Sequence, residues 1–246
     1  MTRDRTRARV ATPETVVTTE TDVASLSNDV DAQELAGALR AHQHADDEDF
    51  DRFIPHEDRR VSSDYWTPVR VATRAAQWLN YFGAHSVVDV GSGVGKFCVA
   101  AALGGECQFT GIEHRSRLVT AARALARTFD VEDRVNFVQS TMTDVGWPKA
   151  DAYYLYNPFG ENLCSYEYQL DREVELGIDR YKRDIAEAER FIEHAPRETF
   201  LITYNGFGGR IPDSYEQIAI DRDLPYELRM WRKARQAGSG RVLRSG

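Results

Sequence analysis

Apolar positions recur along this chain in two alternating periods. Val87, Val88 and Val90 make a short buried run, which Gly91-Ser92-Gly93-Val94-Gly95 then interrupts. Phe97, Val99, Ala100 and Leu103 resume at helical spacing, so a strand, a glycine-rich turn and a helix are predicted in succession. Ahead of them, Val71, Ala75, Trp78, Leu79 and Phe82 share one helical face, with Pro68 suited to its first turn and Gly83 to its end. Strands are predicted again over 109–113, 135–138, 152–156 and 200–204. Helical faces intervene at Leu118, Ala122, Leu125 and Phe129, and at Tyr181, Ile185, Ala188 and Ile192. Such alternation implies a doubly wound α/β fold with a mostly parallel sheet and helices on both faces. The last two strand candidates, 215–220 and 226–231, have no helix between them and are expected to pair as an antiparallel hairpin.

The pattern places the folded domain at 46–234. Residues 1–45 are expected to form a disordered tail with a short amphipathic helix over 30–39, and 235–246 a flexible basic tail. The acidic run from Asp46 to Asp51 reads as a solvated loop. The net charge of −8 is unevenly distributed, with +3 on residues 1–10 and +5 on 226–246, which leaves −16 on the body between. An acidic body argues against strong duplex nucleic-acid binding, which needs cations to neutralise phosphates. Cys98, Cys107 and Cys164 have neither a paired number nor metal-ligand spacing, so no disulfide framework and no metal are expected. A reducing, cytoplasmic setting fits them best, and no apolar run is long enough for a membrane span.

Glycine spacing narrows the chemistry of the turn. A dinucleotide-binding G-x-G-x-x-G counted from Gly91 needs its third glycine at position 96, which is Lys96. A phosphate-binding loop needs a first glycine where Val90 stands and a hydroxyl where Phe97 stands. What remains is Asp-x-Gly-x-Gly-x-Gly, with Asp89 at the strand end, expected to point at the ligand. This motif resembles the first motif of class I S-adenosylmethionine (SAM) methyltransferases. The resemblance implies a Rossmann-like seven-stranded sheet of order 3-2-1-4-5-7-6 whose last strand is antiparallel. It also implies that SAM is the cofactor, with Gly91, Ser92, Gly93 and Gly95 leaving room for it and Asp89 facing its methionine end.

Further positions follow the same family order. Glu113 ends the second strand twenty residues beyond Gly93, where the resemblance assigns it both ribose hydroxyls. Trp66-Thr67-Pro68 is similar to an element that holds the methionine carboxylate in some amino-methyltransferases, although a threonine there also suits a helix cap. Family members carry an acid near Thr141 for the adenine amino group. Here Thr141, the Met142 backbone N–H and Asp144 remain as candidates.

Tyr156-Asn157-Pro158-Phe159-Gly160 closes the fourth strand. It is similar to the Asn-Pro-Pro-aromatic loop of enzymes that methylate amino nitrogens, with Phe159 and Gly160 departing from that pattern. Asn157, Pro158, Phe159 and Tyr156 are the expected catalytic residues. Asn162, Tyr166 and Tyr168 lie in an insert suited to a substrate lid, and residues 204–209 are placed to form a second rim. The expected activity is SAM-dependent methyl transfer, leaning to nitrogen, onto an unidentified protein side chain, RNA base or small amine. A catalytically degenerate SAM-binding module and an NAD(P)-dependent oxidoreductase are the alternatives.

Overall fold

The computed structural model describes residues 32–234, so the basic ends expected over 1–10 and 235–246 lie outside them. Residues 32–40 are helical (α1). Four helices follow before the first strand: α2 (Asp47–Asp51), α3 (His56–Arg59), α4 (Ser62–Tyr65) and α5 (Val69–Phe82). Then come β1 (Ser86–Val90), α6 (Lys96–Leu103), β2 (Gln108–Glu113), α7 (Ser116–Thr128), β3 (Val135–Gln139), α8 (Met142–Val145) and β4 (Ala152–Leu155). Two 3₁₀ turns, Gly160–Leu163 and Tyr166–Tyr168, precede α9 (Ile178–His194), β5 (Phe200–Tyr204), β6 (Tyr215–Asp221) and β7 (Leu228–Lys233).

The strands form one sheet ordered β3-β2-β1-β4-β5-β7-β6. The first five pair in parallel, while β7 runs antiparallel to both β5 and β6. The expected hairpin is therefore present, with a bulge between Gln217 and Ala219. Pro68 is the residue preceding α5 rather than part of its first turn, and Gly83 ends that helix in the left-handed conformation with φ +75°.

Strand alternation sorts the core into two layers. Val87, Phe109, Tyr154 and Ile202 belong to the layer that includes α5, α6 and α7. Val88, Val90, Ile112, Leu155 and Leu201 belong to the other, with Trp147 and the Ala188 and Ile192 face of α9. Asp89 shares the parity of Val87, so its carboxylate is directed beneath α6 rather than into open space.

Helix α6 is buried along its whole length, and its first residue is Lys96, only 2% exposed. Its ammonium lies 2.7 Å from Asp47 Oδ1 and 2.6 Å from Asp51 Oδ1, and donates to Ser62 Oγ at 3.2 Å. The acidic run is thus a helix, α2, not a solvated loop. A buried cation costs several kcal/mol unless paired, and α2 supplies its carboxylates. Asp47 Oδ1 also accepts the backbone N–H of Val69 at 2.8 Å, which serves the start of α5 in place of a capping side chain.

Apolar burial reinforces the same join. Phe50 stacks on Phe129, the residue that follows α7, with centroids 4.8 Å apart, and Ala32, Leu35, Ala36 and Leu39 of α1 lie in the same core. The packed body therefore starts ahead of residue 46, where the boundary was expected. The helix expected over 30–39 is present over the described residues 32–40, and its apolar face joins this core.

Replacing Lys96 with methionine keeps the length of the side chain but leaves two carboxylates facing each other without a cation. We expect Lys96→Met to lower unfolding free energy by about 3 kcal/mol in urea titrations, because Asp51 remains desolvated without its cation while the half-exposed Asp47 turns to water.

Candidate active site

Sequential strands proceed outward from β1 through β2 to β3, and in the opposite direction from β4 to β5, so the topology switches between β1 and β4. Loops leaving the carboxyl ends of these two strands part there and open a crevice. The glycine turn follows β1, and Asn157-Pro158 follows β4. They meet: a Cβ placed on Gly91 would lie 3.2 Å from Pro158 Cβ.

The glycine turn is pinned by backbone bonds from below. The N–H groups of Gly91 and Ser92 both donate to the carbonyl of Ile112, at 2.9 and 3.0 Å. Gly93 has φ +55° and donates its N–H to Glu113 Oε2 at 3.1 Å, while Glu113 Oε1 accepts from Arg115 N–H at 2.9 Å. Burial raises the Glu113 pKa, and these donors and the Arg115 guanidinium oppose the rise. Trp66 roofs the turn. A Cβ on Gly93 would stand 2.4 Å from its ring, and its indole N–H donates to the Asp58 carbonyl at 2.8 Å.

The expected site residues divide between two spaces. A cavity of about 640 Å³ is lined by Gly91, Gly93, Glu113, Thr141 and Met142 on one side and by Tyr156, Asn157, Pro158 and Phe159 on another. A narrow recess of about 20 Å³ is lined by Thr67, Asp89 and Ser92 with Lys96 and Tyr154. Trp66, Gly91 and Tyr156 border both, so the recess adjoins the cavity. Gly95 lines neither and instead precedes α6 in the left-handed conformation.

Asp89 reaches the site only through the recess, a correction to the expectation that it points directly at the ligand. Its Oδ2 accepts from Cys98 Sγ at 3.4 Å, and burial pushes its pKa up to about 7. Thr67 is not a helix cap. Its buried hydroxyl lies 2.9 Å from that of Tyr154, whose ring stacks on Phe97 with centroids 3.6 Å apart.

Asn157 holds φ +40°, a conformation that costs a non-glycine residue about 1–3 kcal/mol and recurs at functional sites. Its N–H donates to the Gly206 carbonyl at 2.9 Å, which ties the loop to the rim after β5. A Cβ at position 160 would come within 2.3 Å of Asn157 Nδ2, so glycine stands there for lack of room. At the other end of the cavity, Thr141 Oγ1 accepts from Asp144 N–H at 3.2 Å and lies 2.7 Å from Asp144 Oδ2. Asp144 itself is exposed and outside the cavity wall, unlike Thr141 and Met142.

The insert after the Asn-Pro loop closes over the cavity. Arg115 is 3.0 Å from both Glu161 and Asp171, and the Tyr65 hydroxyl donates to the Tyr168 carbonyl. Asn162 is buried, donating to the Phe159 carbonyl at 3.0 Å and accepting from Gly177 N–H at 3.3 Å. Tyr168 lines the cavity, whereas Tyr166 lies outside it beneath the Arg172 guanidinium. His114 also lines the cavity. Burial and the neighbouring Arg115 and Arg180 push its pKa down to about 4, so it is neutral at pH 7. Arg180 Nη2 lies 3.1 Å from Nδ1, which makes Nδ1 the acceptor and leaves the hydrogen on Nε2.

Sequence reasoning missed Lys96 as a structural cation, along with Tyr65, Tyr154 and Tyr226. A lone lysine opening an otherwise apolar helix was the available signal for the first. The tyrosines carried none, because their neighbours are remote in sequence.

Residues 83–154 match a family model described as a methyltransferase domain. Among solved structures, the chain is similar to an RNA methyltransferase from Salinibacter ruber in complex with S-adenosyl-L-homocysteine. The identity is 20% over 70% of this chain and 96% of that one, with a TM-score of 0.50. A putative O-methyltransferase from Klebsiella pneumoniae is similar at 11% identity over 84% of this chain and 99% of that one, with a TM-score of 0.53. A search of curated proteins finds no match. The sequence match to a methyltransferase domain thus covers the glycine turn and the strands around it, and these solved structures share the Rossmann-like fold of the chain.

The Asp89 carboxyl, at about 7 when folded, is protonated over a range where the unfolded chain, at about 3.9, is ionised. Its contribution to stability is therefore present below about pH 4 and lost as pH rises through about 7. We expect Asp89→Asn to gain stability relative to the parent progressively over that window, read as a widening difference in Tm up to pH 8.

Proposed function

We propose that the chain transfers a methyl group from SAM to an amino nitrogen. The observation that carries this reading is the meeting of the glycine turn and a strained Asn157-Pro158 loop in one cavity at the strand switch. The residues present fit the cofactor. Both Glu113 oxygens hold one backbone donor each and keep lone pairs for the two ribose hydroxyls. Gly91 and Gly93 line the cavity beside it. Asp89 and Thr67 would hold the methionine end through the recess, and Thr141 and the Met142 N–H the adenine end. Ser92 Oγ is buried without a hydrogen-bond partner among the described residues, a spare polar group in that recess.

When bound, SAM supplies a methyl group activated by its positive sulfur. The protein's part is to hold the acceptor nitrogen in line with it. In this reading Asn157 Oδ1 and the Pro158 carbonyl accept the acceptor's N–H hydrogens, which turns its lone pair toward the methyl carbon. Phe159 walls the nitrogen and, with Trp66, excludes water. Burial pushes the Tyr156 hydroxyl up to about 12, so it stays protonated and serves as a hydrogen-bonding group rather than a base.

The second reading is a SAM-binding module without turnover. The engagement of the Thr141 hydroxyl with Asp144 favours it, since Thr141 stands where the resemblance expects an acid and its hydroxyl is already committed. Oxidoreductase chemistry has only the general strand-turn-helix in its favour, and Lys96 occupies the position its third glycine needs.

Calorimetry with SAM, S-adenosylhomocysteine and NAD(H), followed by transfer of labelled methyl, separates these readings. Asn157→Ala is expected to lower kcat at least about tenfold while leaving the SAM Kd unchanged. Asp89→Ala is expected to abolish SAM binding in a protein that remains folded by circular dichroism. Stabilisation by NAD(H) alone would sink the methyltransferase reading.

A further inference from the structure

The charge on the cavity wall is unbalanced. Its guanidiniums are each held by a carboxylate: Arg115 by Glu161 at 3.0 Å, Arg117 by Asp58 at 2.6 Å and Arg180 by Asp184 at 3.5 Å. Asp64 and Glu167 line the same cavity with no ion-pair partner among the described residues. Asp58 is 2% exposed, and its second oxygen, Oδ2, has no hydrogen-bond donor among the described residues either.

These groups share a rim with aromatic rings. The bond from the Tyr65 hydroxyl to the Tyr168 carbonyl joins α4 to the second 3₁₀ turn, so the adjacent Asp64 and Glu167 lie on either side of one contact. Asp64 lines the cavity together with Tyr65 and Tyr156. Tyr226 completes the wall. Its ring lies 5.6 Å from Tyr204, which in turn lies 4.8 Å from Tyr156. Tyrosine faces attract cations, and unneutralised carboxylates add to the attraction. A nucleic acid would bring phosphates to a wall whose guanidiniums are already paired.

We propose that the acceptor nitrogen is an alkylammonium group, selected by Asp64 and Glu167 together with the rings of Tyr65, Tyr168 and Tyr226. This rests on the methyl-transfer reading above and names its substrate class. The ammonium releases one proton to water, and the freed lone pair forms the N–C bond. The C–S bond breaks with its electron pair passing to sulfur. The product leaves as a methylammonium, with S-adenosylhomocysteine as the other product.

The test incubates the full chain and labelled SAM with spermidine, a lysine-rich peptide, a short RNA or a neutral aromatic amine. Methyl transfer to spermidine or to the peptide supports the proposal, and the arm that is labelled identifies the source of the ammonium. In the labelled arm, the double variant Asp64→Asn with Glu167→Gln is expected to raise KM about tenfold, with kcat held within about twofold. Tyr226→Phe is expected to keep the parent KM, and Tyr226→Leu to raise it. SAM Kd is measured for every variant and is expected not to move. Labelling of only RNA or the neutral amine, or an unmoved KM in the double variant, would overturn the ammonium assignment alone, whereas SAM binding with no arm labelled would overturn the methyl-transfer reading as well, in favour of the module without turnover. Failure of the parent chain to bind SAM would overturn the methyl-transfer reading and this inference with it.

Discussion

A buried ammonium holds the two halves of the site in register. Lys96 sits at the first position of α6, directly after the glycine turn, and its only route to a tolerable energy is the pair of carboxylates on α2. That demand draws α2 down onto the turn. The chain then runs through α3 and α4 across the mouth of the cavity, and delivers Trp66 onto Gly93 and Tyr65 onto the insert. Because α2, α3 and α4 are each too short to be stable alone, this anchor fixes them to the body together with the stacking of Phe50 on Phe129 and the pairing of Asp58 with Arg117. Walls of the cavity that come from the N-terminal segment thus depend in part on one charge cluster beneath it.

The other half of the site is positioned by backbone geometry. Reversal of strand order between β1 and β4 separates two loops, and each is held in a conformation that ordinary residues avoid. Gly91 and Gly93 take positive φ without steric cost, but Asn157 takes it with one, retained by its bond to Gly206 and the packing of Gly160. A residue so constrained fixes where its side chain leaves the backbone. This is the property that orienting a nucleophile requires.

Two carboxylates at neighbouring strand ends show how local surroundings divide their roles. Asp89 shares a face with Val87 and lies under α6, with a thiol as its hydrogen-bonding partner, so burial favours its neutral form. Glu113 is almost as buried, but the backbone N–H groups of Arg115, Gly93 and His114 and the Arg115 guanidinium favour its charged form. Strand alternation sets the first environment, and the tight turn after β2 sets the second.

Much of this was legible along the chain. Alternating periods gave the strands, the glycine spacing separated three nucleotide-binding motifs, and the family resemblance supplied the strand order that the sheet has. Local chemistry is enough for these because period and turn geometry depend on near neighbours. The acidic run at Asp46–Asp51 was not legible in the same way. As a sequence it is a solvated segment, and only the approach of Lys96 from across the fold gives its helix a buried side at Phe50 and Asp51, while Asp46 to Asp49 stay exposed. The same applies to Asp89, whose motif position is evident but whose confinement to a recess depends on α6 lying above it. The tyrosines of the cavity wall come from four separate segments, and no sequence period links them. The sequence by itself determined which elements form and which residues are chemically able to serve. The tertiary structure decided which of them meet, because burial and charge pairing act between groups that the chain keeps far apart.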